Sequence, residues 1–173
     1  MFLELIGTVF GGIAMAGVVM IVNRLTGGRL PRWAAPVAAG LTMIAVTISM
    51  EYSWYGRTTA NLPKGVVVAN TVQKQSFYQP WTYLSPYVDR FVAVDELSLK
   101  KNADLPGQRM IDLYFFGRWA PLKKVPVAYD CTDARLATLI DGVDFGAQGE
   151  ISNADWRQVA ADDPVLMAVC EVS

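Results

Sequence analysis

The first fifty residues carry only four charged side chains, Glu4, Arg24, Arg29 and Arg32, and the three arginines sit together between two apolar runs. Phe2 to Val22 reads FLELIGTVFGGIAMAGVVMIV and Trp33 to Met50 reads WAAPVAAGLTMIAVTISM. Each is about the length that crosses the roughly 30 Å hydrocarbon core of a bilayer as a helix, a setting in which every backbone amide must be satisfied within its own segment. Residues 57–173, by contrast, contain the other twelve basic side chains and fourteen acidic ones. The shift predicts a membrane protein: a transmembrane helical hairpin over residues 1–56, with helices at about 2–22 and 33–50, followed by a soluble domain over 57–173.

The flanks agree with this reading. Glu4 lies in the first turn, where its carboxylate reaches the headgroups without entering the lipid core. A cleavable signal peptide needs a basic start and a small-residue cleavage site, whereas here the first charge is acidic, so a retained anchor is expected. Trp33 on one side and Tyr52, Trp54 and Tyr55 on the other stand where interfacial aromatics stand. Pro36 falls in the first turn of the second segment, where no intrahelical bond is lost. The connector NRLTGGRLPR holds three arginines and no acid, and the positive-inside rule assigns it to the cytoplasm. Both termini and the soluble domain are then expected on the periplasmic side of a bacterial inner membrane, although Arg57 and Lys64 just beyond the second segment pull the other way.

Close approach of two membrane helices calls for small residues. The first segment offers Gly7, Gly11, Gly12, Ala14 and Ala16, and the second offers Ala35 and Ala39. One shared seam needs fewer than this, and the spacing spreads the small residues over more than one face of the first helix, Gly7, Gly11 and Ala14 on one and Gly12 and Ala16 on another. The surplus is expected to meet a larger membrane partner.

The chain has no histidine, which excludes a Ser-His-Asp or Cys-His site and any histidine-ligated metal or haem. It has no phosphate-binding glycine loop, no dinucleotide fingerprint and no GxSxG. Asp130, Asp133, Asp141, Asp144, Asp162 and Asp163 follow no EF-hand spacing and read as turn and surface carboxylates. The soluble part is nearly neutral and has no long basic run, so nucleic acid is not an expected partner. No enzyme activity, cofactor, metal or small-molecule substrate is expected. Cys131 and Cys170 show no CxxC spacing, and a disulfide in an oxidising compartment stands beside two buried thiols as the readings of the pair.

In the soluble part, strands are predicted at Gly65 to Val72, Arg90 to Ser98, Met110 to Phe116, Val125 to Tyr129 and Val165 to Val172. Intervening prolines favour antiparallel pairing. Ser152 to Asp155 resembles a capping box opening a helix through about Ala161, and Ala134 to Ile140 reads as a second short helix. A small α+β domain with a mainly antiparallel sheet follows. Between the first two strands, Phe77, Tyr78, Trp81, Tyr83 and Tyr87 crowd a proline-containing segment, either as packing for the sheet or bilayer surface or as a partner surface.

The stretches ELIGTVFGG from Glu4, NRLTGGRLPRW from Asn23 and EYSWYGRTT from Glu51 resemble uncharacterised two-helix membrane proteins of alphaproteobacteria associated with respiratory complexes, haem–copper cytochrome c oxidase in particular. The resemblance implies a non-catalytic accessory or assembly subunit without a redox centre of its own. A free-standing envelope anchor or sensor with a protein-binding domain is the competing expectation.

Overall fold

A computed structural model describes residues 2–102, 105–139, 143–146, 149 and 151–171. The chain falls into two compact units, Met1–Gly56 and Arg57–Ser173.

The first unit is built on helices α1 (Phe2–Leu25) and α2 (Ala34–Ala60). Both are long and apolar enough to cross a membrane. α1 ends in a left-handed cap: Gly27 and Gly28 have φ of 74° and 77°, and the Gly28 amide donates to the Asn23 carbonyl at 2.7 Å. The Asn23 side chain then accepts from Leu30, closing the arginine-bearing turn. α2 continues to Ala60 rather than stopping near Met50. The apolar run does end there, but YSWYGRTTA contains no proline and its single Gly56 is tolerated, so loss of hydropathy ends the membrane-like stretch and not the helix.

The helices meet along one seam. A Cβ built on Gly7 would lie 3.6 Å from Met50, one on Gly11 3.7 Å from Val46, and one on Gly12 only 2.4 Å from Met43. Partners descend along α2 as the glycines climb α1, as antiparallel packing requires. Gly12 is thus buried in the same seam as Gly11, not on a separate face. Ala16, Ala35 and Ala39 are half-buried, whereas Ala14 is exposed and nothing approaches Gly17. Thr8, Thr42 and Thr47 donate to carbonyls four residues back, which satisfies their hydroxyls inside their own helices.

The second unit is an antiparallel sheet with one covering helix. Its strands are β1 (Val66–Lys74), β2 (Tyr87–Lys101), β3 (Gln108–Gly117), β4 (Lys123–Asp130), β5 (Arg135–Thr138), β6 (Asp144–Phe145), β7 (Ile151–Ser152) and β8 (Arg157–Gln158), followed by helix α3 (Pro164–Glu171). The main sheet runs β1-β2-β3-β4-β5-β8, and β6 pairs with β7 separately. Alternation along the strands sends Val94, Ile111, Leu113, Val127 and Tyr129 to one face, where Val165, Leu166 and Val169 of α3 cover them. The ladder between β2 and β3 breaks from Asp95 to Lys100 because side chains take it over: Ser98 Oγ donates to the Asp95 carbonyl and accepts from the Asp112 amide.

Three local expectations are corrected. Val165 onward is a helix, not a strand, because Asp163 Oδ1 accepts from the amides of both Val165 and Leu166 and Pro164 occupies the first helical position. A short apolar run cannot by itself distinguish the two. The helix expected from Ser152 is absent: Ile151–Ser152 and Arg157–Gln158 are strands, and Asn153 sits at φ 58°, so these polar residues make a turn. Ala134 also has positive φ, and Arg135–Thr138 is a strand pairing with β4. Asp141, Ile140 and Val172 lie outside the described residues.

Cys131 and Cys170 form a disulfide with Cα atoms 5.9 Å apart, closing a separation of 39 residues. In the chain-entropy account a loop of that size stabilises by about 4 kcal/mol. Because Cys170 lies in α3, the bond fastens the covering helix to the end of β4, and Arg109 Nη1 adds a 2.8 Å bond to the Val169 carbonyl. Unreduced protein unfolded under thiol-trapping conditions should take up no alkylating reagent, and Cys131→Ala with Cys170→Ala should lower the melting temperature markedly. Unchanged melting would mean the staple contributes nothing.

Burial, with the Asp163 charge second, raises the pKa of the Tyr129 phenol above its ordinary value. The folded state therefore keeps a proton that the unfolded state loses above about pH 10, so this contribution is intact below that pH and declines as pH rises beyond it. Alkaline titration followed by circular dichroism should show the decline, and Tyr129→Phe should flatten it.

Candidate functional site

The β1–β2 connection, residues 75–86, contains no charged residue. It is nonetheless ordered by its own hydrogen bonds. Thr82, fully buried, accepts from the Ser76 amide at 2.9 Å and donates to the Gln79 carbonyl at 2.7 Å. Ser76 and Gln79 form an isolated bridge, and Pro80 opens a 3-10 turn through Tyr83, the position at which a missing amide proton costs nothing. With Ser76 and Thr82 turned inward, the large apolar and aromatic side chains are left outside. Phe77 and Leu84 are each 92% exposed, Tyr78 70%, Tyr83 57% and Trp81 37%. Tyr87 differs from its neighbours: it is the first residue of β2 and is buried, so it belongs to the fold and not to the surface grouped with it on sequence.

The register places a second connection at the same end of the sheet. Lys74 pairs with Tyr87, Arg90 with Gly117, and Phe115 with Lys123, so the β3–β4 turn lies beside the aromatic segment's end. That turn exposes Trp119 and Leu122, and Arg118 lies with its guanidinium 5.0 Å from the Trp119 ring centre. A shallow cleft of about 650 Å³ runs between Val72, Arg90, Phe115 and Trp119. Residues 72–92 and 114–124 hold five cations, Lys74, Arg90, Arg118, Lys123 and Lys124, against one carboxylate, Asp89. Asp89 lies 3.9 Å from Lys74 and 3.4 Å from Arg90. Lys124 is bonded at 2.9 Å to Asp112 further along β3, and that bond raises its pKa.

Other polar groups bond to one another. Asp130 accepts from the amides of Thr132 and Asp133 and from Arg135 at 3.0 Å, which shapes the β4–β5 turn, and Arg135 also pairs with Asp133. Asp144 accepts from Asn153 at 3.0 Å. Among the described residues no three His, Cys, Asp or Glu side chains converge as a metal site would require. No protein-family model matches the chain, and neither a curated protein nor a solved structure matches it.

The aromatic cluster was visible in the sequence, whereas the contribution of Trp119 and Leu122 was not, since only strand register brings their turn alongside. Thr82 was also missed. A lone small hydroxyl amid aromatics was the available signal, and it marks a side chain that bonds its own backbone. Thr82→Val should leave the buried Ser76 amide unpaired and cost about 1–3 kcal/mol. Limited chymotrypsin digestion should then cut the segment faster than in the parent; equal rates would mean the loop is held by other contacts.

Proposed function

We propose that this chain is a non-catalytic accessory or assembly subunit of a larger inner-membrane respiratory complex, with cytochrome c oxidase, or a supercomplex containing it, as the first candidate. The observation that carries the reading is on α1. Its glycines at 7, 11 and 12 are taken up by α2, yet Ala14 remains exposed and Gly17 meets nothing within 4 Å. Three residues apart, these two lie side by side on the helix and leave a shallow step among exposed Phe10, Ile13 and Ile21. A further helix packs closely against such a step, and small residues in membrane helices serve that purpose. The arginine-rich turn supports a cytoplasmic hairpin tip, with the disulfide-bonded domain in the periplasm. The respiratory assignment draws on the sequence resemblance.

The test is a mild-detergent pull-down of the tagged chain from its native membrane, read by haem spectra and mass spectrometry. Stoichiometric haem-containing partners are expected. Gly17→Leu should abolish their co-elution while leaving the chain's helical content and melting unchanged. Gly12→Leu should instead lower melting, because its side chain collides with Met43. Elution of the chain alone, under conditions that preserve known complexes, would discard this reading in favour of a free-standing anchor.

A further inference from the structure

The aromatic end of the sheet unites three properties that together specify a class of partner. First, its tip is wholly uncharged and presents Phe77 and Leu84 almost fully exposed, flanked by Tyr78, Trp81 and Tyr83. Tyrosine and tryptophan carry an apolar body with a polar edge, the combination enriched where hydrocarbon meets headgroups. Secondly, behind this tip stand Lys123, exposed at the start of β4, and Arg90, whose side chain is 74% exposed and shares the single carboxylate Asp89 with Lys74. An apolar tip backed by a cationic collar matches a lipid surface, hydrocarbon within and phosphates at its rim. Thirdly, the tip stays within reach of the bilayer if α2 crosses it. Only Asn61 to Gly65 separate α2 from β1.

The lengths permit the contact. α2 has 27 residues, which at 1.5 Å each rise about 40 Å, leaving about 10 Å beyond a 30 Å hydrocarbon core. The link from Ala60 to Val66 adds at most about 20 Å. β1, with nine residues, spans about 27 Å between that link and the aromatic segment. At full extension, with the turn closed by the 3.1 Å Val66–Pro63 bond opened, the tether is as long as the strand that must return to the surface.

We propose that the β1–β2 connection is an interfacial membrane contact, in which Phe77 and Leu84 enter the headgroup–acyl boundary, Tyr78, Trp81 and Tyr83 lie at headgroup level, and Arg90 and Lys123 meet lipid phosphates. The contact rests on the reading that α1 and α2 cross a bilayer. Thr82 supplies its rigidity: a tip already fixed in shape loses little conformational freedom on entering the interface.

The experiment uses the full chain reconstituted into vesicles of phosphatidylethanolamine with a minority of phosphatidylglycerol. Leu84→Cys, Ile13→Cys and Lys101→Cys are each labelled with an environment-sensitive fluorophore, and nitroxide-bearing lipid is added as quencher. With Cys131 and Cys170 closed on each other, the dye attaches at the new thiol. Ile13 reports the hairpin, and Lys101, exposed at the far end of β2, reports bulk water. The expected result is blue-shifted emission at Leu84 and quenching several-fold above that at Lys101, both diminished by Phe77→Glu. Quenching at Ile13 with none at Leu84 beyond Lys101 overturns the lipid contact and leaves the membrane hairpin standing. Absence of quenching at Ile13 removes both. Shielding of Leu84 in native membranes but not in lipid vesicles also overturns the proposal, and assigns the tip to a protein partner.

Discussion

A single eight-residue helix covers the core face of a six-stranded antiparallel sheet, and the second unit depends on keeping it there. Three apolar side chains, Val165, Leu166 and Val169, pack on Val94, Ile111, Leu113, Val127 and Tyr129. So short a helix would be marginal alone. It is held at both ends: Asp163 caps its first turn, while Arg109 and the Cys131–Cys170 bond fix its last. Each constraint comes from a different part of the chain, so the helix is the point at which the meander closes on itself.

The sequence disclosed most where one physical force acts over a long stretch. The two apolar runs could be read because hydropathy persists over about twenty residues, and the strands near Val66, Arg90, Met110 and Val125 because β-branched and aromatic residues cluster there. It disclosed least where elements are short. Val165 to Glu171 is helical because of one carboxylate and one proline just before it, and that signal is local enough to be outweighed by a valine-rich composition. Ser152 to Asp155 failed in the opposite sense: residues that cap helices also make turns, and a positive φ at Asn153 decides for the turn. The candidate surface was half legible. Aromatic crowding was evident, but burial of Tyr87 and exposure of Phe77 and Leu84 follow from where β2 begins, which is a matter of register.

The two ends of the sheet are made differently. At one, Asp130 and Asp133 both accept from Arg135 and shape a tight turn. At the other, Thr82 spends its hydrogen bonds inside the loop, on Ser76 and Gln79, and the large outward side chains are aromatic or apolar. A loop that satisfies its own backbone can expose greasy side chains without collapsing, which separates this segment from one that is apolar merely because it is unfolded.

The disulfide also makes the fold a record of where the chain has been. Both cysteines lie in the second unit, and the later of them comes 39 residues after the earlier, once the β1-to-β8 meander has been synthesised. The bond therefore closes after synthesis of the strands it secures, and closes only where thiols are oxidised. With the two thiols reduced, the same residues leave the covering helix unfastened at its last turn, held there by Arg109 alone of these two constraints. The redox state of the compartment is thereby converted into how firmly the core is covered.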